Sequence, residues 1–225
     1  MIQITKGVYQ IPLMPRNSIN CYLVGDVLID AGIRSSQNKI LTALKDKKVT
    51  AHALTHAHAD HQGSSKIICE SFQIPLWCSK PEKPQAESGN ATKEYPFQGH
   101  LITKFQKKYW AGEGYKVSRV IKEGDEVSDF KVIETPGHSS GHISFFREKD
   151  GVLIVGDAMV NMNLLTTSVG LHQPPGLFTL NKQENIRSIF KLAALKPAIL
   201  CFGHGPVLFN KGELEKFVSK IKNTL

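Results

Sequence analysis

Four potential metal ligands fall within six residues of one stretch, Thr55-His56-Ala57-His58-Ala59-Asp60-His61. An apolar run precedes the stretch and a helical pattern follows it. The ligands are therefore predicted to lie on a loop at the carboxyl end of a strand, where α/β proteins place their sites. His56 and His58 are two residues apart, and an extended backbone turns both imidazoles to one side. Asp60 and His61 follow in the turn and can point elsewhere, so one short loop can face two metal ions.

The segments around this loop alternate between strand and helix patterns. Before it, apolar runs at 20–24 and 27–30 are split by Gly25-Asp26, which favours a hairpin turn. The second run ends at Asp30, and we expect this carboxylate to steady the histidine loop rather than to bind metal. Along the whole chain the order of elements predicts two β-rich halves, each closed by helices, with two sheets face to face and helices outside.

Two helices near the carboxyl terminus carry clear sequence signals. The pattern Asn181-x-x-Glu184 is typical of a capping box and opens a helix. A closing amphipathic helix is marked by apolar residues at helical spacing: Leu214, Phe217, Val218, Ile221 and Leu225.

A loop-rich stretch at about 79–117 interrupts this regular pattern with prolines and glycines. It also carries six aromatic residues, which argue against disorder. Loops of this length in a compact domain are usually functional. We interpret the stretch as a lid-like insertion over the site, with one helix near 100–110 and with Tyr109 and Trp110 as candidates for substrate contact. The alternative is a surface excursion that buries its aromatics in a small core of its own.

Length and composition indicate one globular domain, residues 1–225, with 41% hydrophobic and 21% charged residues. The net charge is +8, and 80–122 contributes nine basic and four acidic residues to it. A basic surface favours anionic partners, among them small anions, nucleic acid and anionic membranes. The simpler interpretation is that the charge keeps the protein in solution. The expected partner is a small molecule, with an anionic one favoured by the basic insertion.

The cysteine pattern and the amino terminus predict a cytoplasmic protein. The four cysteines form no C-x-x-C or zinc-finger spacing, and Cys69 and Cys201 lie in apolar runs that predict buried thiols. The amino terminus begins directly with strand character and shows no signal peptide. No apolar run approaches the ~20 residues needed to cross a bilayer, so no membrane association is expected.

Three further ligand candidates follow predicted strands, and each has glycine beside it. They are Pro136-Gly137-His138, Gly156-Asp157 and Gly203-His204-Gly205. Glycine allows the backbone to turn sharply or to approach another chain closely. Any one of these motifs alone is a weak signal, because a single histidine at a strand end is more often structural. Together with the histidine loop, in this order, they are specific.

These motifs resemble those of the metallo-β-lactamase superfamily across nearly the whole chain. The resemblance implies an α/β fold, the four-layer αββα sandwich of that family. It also implies one metal held by His56, His58 and His138, a second held by Asp60, His61 and His204, and Asp157 as the bridge between them. His142 matches a histidine that is usually not a ligand in the family, and we expect it to be structural. Asp60 matches a ligand that also shuttles the proton to the leaving group, so it is the expected catalytic residue.

The ligand types suit two divalent metal ions, with zinc expected first and iron or manganese as alternatives. Two such ions ~3.5–4 Å apart can hold a hydroxide that attacks a carbonyl or phosphoryl centre. We therefore expect a dinuclear hydrolase acting on a small ester, thioester or lactone. Two alternatives remain open: a phosphodiesterase acting on nucleic acid, for which no long RNA-binding arm is evident, and an enzyme with one iron, like the persulfide dioxygenases.

Subfamily features narrow the substrate only in part. Secreted β-lactamases of this fold typically lack the bridging aspartate, so Asp157 argues against antibiotic hydrolysis, as does the absence of a signal peptide. Glyoxalase II adds a C-terminal helical domain, whereas only one helix is predicted after Gly205. Lactonases of the family often place a catalytic tyrosine between the bridging aspartate and the last histidine, and 158–203 contains no tyrosine. His172 is a candidate to replace that donor.

Overall fold

The computed structural model describes residues 1–224; Leu225, which the sequence assigns to the closing helix, lies outside them. The first half of the chain forms a seven-stranded sheet in sequential order, β1 to β7. Its strands are β1 (Ile2–Thr5), β2 (Val8–Pro12), β3 (Asn20–Val24), β4 (Val27–Ile29), β5 (Ala51–Ala53), β6 (Leu76–Cys78) and β7 (Val117–Val120).

The second half forms a six-stranded sheet and a separate two-stranded hairpin. The sheet has the order β15-β14-β11-β10-β9-β8. Its strands are β8 (Glu126–Val127), β9 (Phe130–Glu134), β10 (Ile143–Arg147), β11 (Val152–Gly156), β14 (Ile199–Phe202) and β15 (Leu208–Phe209). The hairpin pairs β12 (Val160–Met162) with β13 (Val169–His172).

Six α-helices accompany the sheets in residues 1–224. They are α1 (Gln37–Leu44), α2 (Ser65–Phe72), α3 (Lys83–Ser88), α4 (Leu101–Tyr109), α5 (Lys182–Ala194) and α6 (Glu213–Lys222). The predicted cap of α5 is confirmed on one side, because the Asn181 side chain accepts a hydrogen bond from the Glu184 backbone at 3.1 Å. None of the helices in this described part of the chain has the length and apolar run that a bilayer crossing requires.

Alternating side chains build three apolar layers. In β4, Val27 and Ile29 pack between the two sheets, whereas Leu28 packs on the outer face of the first sheet. In β11, Ile154 joins the layer between the sheets, and its neighbour Leu153 joins the layer outside the second sheet. Successive strand residues point to opposite faces, so a strand with a run of apolar residues is covered on both faces.

Helices complete the outer layers. Ile40 of α1 and Ile68 of α2 lie in the cluster outside the first sheet, and Ile189 of α5 and Leu214 of α6 lie in the cluster outside the second. The order is therefore helix, sheet, sheet, helix, and the predicted four-layer αββα sandwich is confirmed. All four cysteines are buried and free, as the apolar context of Cys69 and Cys201 predicted.

Strand direction brings the ligand loops to one edge of the sandwich. In the second sheet β11 runs parallel to β14, and β9 runs antiparallel to β10, which runs antiparallel to β11. The carboxyl ends of β9, β11 and β14 therefore share an edge, and the loops that follow them carry His138, Asp157 and His204. The histidine loop after β5 joins them, since the Ile143 backbone N–H donates to the Thr55 carbonyl at 2.9 Å.

Candidate metal centre

Three of the predicted histidines form one group at this edge. His56, His58 and His138 are buried, and one ligand atom from each lies within 4.8 Å of the others. The His138 Nε2 and His58 Nδ1 atoms are 3.0 Å apart. The ring centroids of His56 and His58 are 4.4 Å apart, and each ring centroid lies within 4.8 Å of that of His138.

The two other residues of the histidine loop form a second group with the last histidine. Asp60, His61 and His204 offer ligand atoms within 4.8 Å of one another. The His204 Nε2 atom lies 3.3 Å from Asp60 Oδ2. The loop therefore divides its four candidates between two groups, as the turn at Asp60 and His61 suggested.

Asp157 lies between the two groups. Its Oδ2 is 2.9 Å from His204 Nε2 and 3.8 Å from His138 Nε2, and its Oδ1 is 3.4 Å from His61 Nε2. Gly203 makes this approach possible, because a Cβ there would lie 2.2 Å from the Asp157 Oδ1 atom. Glycine is therefore required at position 203, beside His204, because a side chain there would collide with the Asp157 carboxylate.

The site fits a divalent cation on its own chemistry. Within residues 1–224, the buried His56 Nε2, His61 Nε2 and Asp157 Oδ1 atoms have no hydrogen-bond partner, although these three residues share a third group of ligand atoms within 4.8 Å. Buried polar atoms are nearly always paired, so a convergent set of unpaired ligand atoms indicates an ion. Imidazole and carboxylate together suit zinc, iron or manganese.

Charge is distributed unequally across the site. Burial lowers the pKa of His138 to about 4, and burial together with neighbouring histidines lowers the pKa of His56, so both rings are neutral. Burial also acts on His204, but Asp157 and Asp60 outweigh it and raise the pKa of His204 to about 10. The carboxylates of Asp60 and Asp157 therefore favour positive charge on this side of the site, and a bound cation would take the place of the proton on His204.

Asp30 anchors the histidine loop, as the sequence predicted. Its Oδ1 accepts a hydrogen bond from the Thr55 backbone at 2.8 Å, and its Oδ2 accepts from Thr55 Oγ1 and from His61 Nδ1, each at 2.8 Å. The bond to Nδ1 fixes the tautomer of His61 and leaves Nε2 to face Asp157.

His142 uses both ring nitrogens inside the protein, which agrees with the predicted structural role. Its Nε2 accepts a hydrogen bond from the Asp157 backbone N–H at 2.9 Å. Its Nδ1 therefore carries the proton and donates to Thr135 Oγ1 at 2.8 Å. His142 holds the backbone of Asp157 and stays outside the groups of candidate ligands.

Glu82 is a buried carboxylate that the sequence reasoning missed. Its Oε2 accepts from the Ala57 backbone at 2.8 Å, and its Oε1 accepts from Ser139 Oγ at 2.5 Å and from the Gly141 backbone at 2.9 Å. One side chain thus joins the histidine loop to the loop of His138. No pattern distinguished it, because it lies in a lysine-rich stretch where a glutamate suggests a solvated pair.

A cavity of about 330 Å³ opens onto the candidate ligands, among them His58, Asp60 and His204. Most of the other lining residues are apolar: Met14, Ile19, Tyr95, Ile102, Trp110, Leu164, Leu165, Pro175 and Phe178. Within the described residues this lining contains no lysine or arginine. The space beside the ligands is therefore small and mainly apolar.

The stretch at 79–117 contributes four side chains to this cavity: Tyr95, Ile102, Gln106 and Trp110. Tyr95 is buried against the His58 ring, with ring centroids 4.6 Å apart. Of the two aromatics expected to contact substrate, Trp110 lies in the cavity wall. Tyr109 is 48% exposed and lies outside it, so that part of the expectation is wrong. Tyr109 lies on the side of α4 that faces solvent.

Known proteins share these features. The family model "Metallo-beta-lactamase superfamily" matches residues 14–204, which span all seven candidate ligands. The chain belongs to the metallo-beta-lactamase superfamily. The probable metallo-hydrolase YflN of Bacillus subtilis is 30% identical to this superfamily member over 231 residues, covering 89% of this chain and 84% of YflN.

Solved structures of the superfamily superpose on the chain. The BLEG-1 B3 metallo-beta-lactamase is 26% identical with a TM-score of 0.71, covering 94% of this chain and 99% of BLEG-1. TTHA1623 in a di-iron-bound form is 26% identical with a TM-score of 0.67, covering 89% of this chain and 94% of that one. The metallo-β-lactamase type predicted for the sandwich is confirmed.

Proposed function

We propose that the chain is a dinuclear metal-dependent hydrolase that acts on a small ester, thioester or lactone. Membership of the superfamily and the name of YflN support the general class of metal-dependent hydrolase. The observation that carries the dinuclear assignment is the position of Asp157, whose carboxylate lies 3.8 Å from His138 of one group and 2.9 and 3.4 Å from His204 and His61 of the other.

The proposed ligands follow the groups seen in the site. His56, His58 and His138 would hold one ion, Asp60, His61 and His204 would hold the second, and Asp157 would contribute its carboxylate to both. The TTHA1623 structure is a di-iron-bound form, which supports a site for two ions in this fold. Divalent ions bound here would supply Lewis acidity to the reacting carbonyl group.

The protein contributes positioning and a proton acceptor. Asp60 lines the cavity. Burial opposes its ionisation, but the hydrogen bond and charge of His204 lower the pKa of Asp60 to about 2, so its carboxylate is ionised at neutral pH. We assign Asp60 as the catalytic residue that takes up a proton and passes it to the leaving group. The apolar cavity wall excludes water from the substrate beyond the reacting group.

The cavity favours the carbonyl substrates over the other candidates. Its volume is at the small end of ligand pockets, and its lining within the described chain provides no lysine or arginine for a phosphodiester. A persulfide dioxygenase remains a second candidate, because imidazole and carboxylate ligands also suit iron. Zinc is the proposed metal, and metal analysis separates the two.

The test combines metal content with activity in wild type and Asp157→Ala. We expect about two zinc per chain and turnover of thioesters, esters or lactones in wild type. Asp157→Ala should keep its fold by circular dichroism, lose the paired ions and lose most activity. Asp125→Ala removes a turn aspartate far from the candidate ligands in sequence and should change neither quantity.

Three results would contradict the proposal. Full activity with two bound ions in Asp157→Ala would remove the bridging role. About one iron per chain, with oxygen consumption on a persulfide and no hydrolysis, would favour the dioxygenase. Turnover of bis(4-nitrophenyl) phosphate in preference to all carbonyl substrates would favour the phosphodiesterase.

A further inference from the structure

Three polar side chains other than the candidate ligands line the cavity, those of Ser18, Gln106 and Thr167. Gln106 lies on α4, is 5% exposed and lines the cavity. Its Oε1 atom is buried and has no hydrogen-bond partner within residues 1–224. The backbone carbonyl of the same residue is occupied, since it accepts from the Trp110 and Ala111 N–H groups. Of the buried polar atoms of Gln106, the side-chain Oε1 is the one left without a partner in the described residues.

The neighbourhood of Gln106 explains why this amide is unusual. Ile102 and Trp110 lie one turn away on either side of it, and both line the same cavity. The polar residue Thr167 also lines the cavity, but its hydroxyl already accepts a hydrogen bond from Arg16. Buried polar groups in proteins are nearly always hydrogen-bonded, so the Gln106 amide marks a place where a bound molecule supplies the partner.

The chemistry of that partner is restricted. The two ends of a glutamine amide interchange by rotation, so Gln106 can offer either a carbonyl oxygen or an N–H group. It cannot neutralise a charge, and the lining formed by the described residues contains no lysine or arginine. A charged group would therefore be buried without compensation. A hydroxyl, an amide or a carbonyl on an apolar chain meets both conditions.

We propose that the substrate is an uncharged, largely apolar acyl compound that carries one neutral hydrogen-bonding group, and that Gln106 pairs with this group. The inference rests on the proposed hydrolase function, since it names the part of the substrate that extends away from the scissile carbonyl. Gln106 is then the residue that selects among acyl chains of similar length.

The first experiment moves one amide along an acyl chain. Thioesters of equal length are prepared with no amide, with one amide at each successive position, and with a terminal carboxylate. Wild type should show a kcat/KM about tenfold higher for one amide position than for the plain chain. The carboxylate should be the poorest substrate. In Gln106→Met, a change of similar shape, the preference should disappear and the plain chain should be turned over at least as well.

Gln183→Leu is the matched control, because Gln183 is exposed on α5 and lies outside the cavity lining. It should keep the wild-type preference. A flat profile along the chain in wild type, or an unchanged preference in Gln106→Met, would overturn the inference. The wild-type profile decides the question even if Gln106→Met fails to fold.

A binding measurement separates this inference from the proposed function. If no thioester, ester or lactone is hydrolysed, the proposed function fails, and the same set of chains is tested as unreactive N-alkyl amides by calorimetry. Tighter binding of the chain with a second amide at one position, lost about tenfold in Gln106→Met, supports the Gln106 contact. Equal binding of all chains, or no binding of any, overturns it.

Discussion

Asp30 holds the histidine loop with both oxygens of one carboxylate. It accepts three hydrogen bonds, from the Thr55 backbone, the Thr55 hydroxyl and His61 Nδ1. Its φ of 59° lies in the left-handed region, which aspartate tolerates better than most residues. Because His61 is a proposed ligand, the orientation of that ligand depends on a side chain that does not itself reach the metal.

We predict that Asp30→Asn weakens metal binding without unfolding the sandwich. Asparagine replaces one acceptor oxygen with an NH₂ group, which confronts a donor on either Thr55 or His61. Loss of such a supporting partner typically costs about 10- to 100-fold in metal affinity. Competition with a chelator measures this. Asp26→Asn, in the turn between β3 and β4, is the control, since the Asp26 carboxylate pairs only with the exposed Lys48; an equal loss there would refute the anchoring role.

The sequence revealed the ligands but not all of their supports. The sequence revealed four ligands of the histidine loop, because histidines and an aspartate clustered so closely have few roles other than metal binding. These four are His56, His58, Asp60 and His61. Asp30 was found because an aspartate at the end of a buried strand needs a partner. Glu82 was missed, since its three donors come from loops 25 and 57 to 59 residues away, and no local pattern reports such contacts.

At the scale of elements, the stretch at 79–117 is fastened to the site by two glutamates. Glu82 precedes α3 and accepts from Ala57 and from the loop after His138. Glu94 accepts from the Ser140 backbone at 2.8 Å and from its hydroxyl at 2.6 Å. Burial raises the pKa of Glu82, while its three donors act in the opposite direction. The insertion thus supports the candidate ligands as well as lining the cavity.

We predict that Glu82→Gln reduces both metal occupancy and kcat/KM. The NH₂ group of the new glutamine would face at least one backbone N–H, that of Ala57 or of Gly141, and two donors cannot pair. An unsatisfied buried polar group lowers the stability of the fold by about 1–3 kcal/mol. Chemical denaturation measures that loss of stability, and metal analysis measures occupancy. Glu87→Gln removes a carboxylate at the other end of α3 that accepts from the Val117 backbone. If Glu87→Gln lowers metal occupancy as much as Glu82→Gln does, the loss comes from disturbing the insertion as a whole, and the specific role of Glu82 is contradicted.

Long periodic elements were predicted better than short ones. The hairpin of β3 and β4 and helices α5 and α6 follow the predicted patterns, and the helix expected near 100–110 is α4. Helix α3 was missed because it contains Pro84, which is tolerated only in the first turn of a helix. No sequence pattern distinguished the hairpin of β12 and β13, since these strands pair only with each other within the described residues.

At the scale of the whole molecule, Arg147 joins the two sheets away from the site. It lies at the end of β10 and donates to the Lys6 carbonyl, between β1 and β2, at 3.2 Å. It also donates to both oxygens of Asp150, at 2.9 and 2.8 Å. The Thr5 hydroxyl donates to the same carboxylate at 3.2 Å. A buried guanidinium and one carboxylate thus tie the first sheet to the second.

We predict that Asp150→Asn destabilises the fold in a pH-dependent way. Burial tends to raise the pKa of Asp150, but Arg147 outweighs it and holds that pKa below 3.8. A carboxylate whose pKa is lower in the folded protein than in the unfolded protein stabilises the fold above pH 3.8. This stabilisation is lost as the pH falls through the pKa of the folded state. The free energy of unfolding should drop by about 1–2 kcal/mol at pH 7, and the gap to wild type should narrow below pH 3.8. Asp46→Asn, at an exposed position, is the control, and a gap that widens in acid would refute the linkage.

The charge of the molecule acts on approach rather than inside the cavity. The stretch 80–122 carries nine basic and four acidic residues, and two of those acids, Glu82 and Glu94, turn inward to the loop after His138. Its outer surface is therefore more basic than its composition indicates. The cavity lining, in the part of the chain described, contains no lysine or arginine. Charge can raise the encounter rate for an anion without stabilising it once bound.

We therefore predict different responses to salt for acidic and neutral substrates. Raising the ionic strength from about 0.01 to about 1 M shortens the Debye length from ~30 to ~3 Å. The kcat/KM of an acidic thioester should fall over this range, whereas that of a neutral thioester should stay flat. Replacing Lys104, Lys107 and Lys108 of α4 with glutamine should flatten the acidic series. The same change at Lys45, Lys47 and Lys48, beyond the end of α1, removes equal charge and should preserve the slope. Equal slopes for the two triple variants would show that net charge, and not the insertion, sets the response.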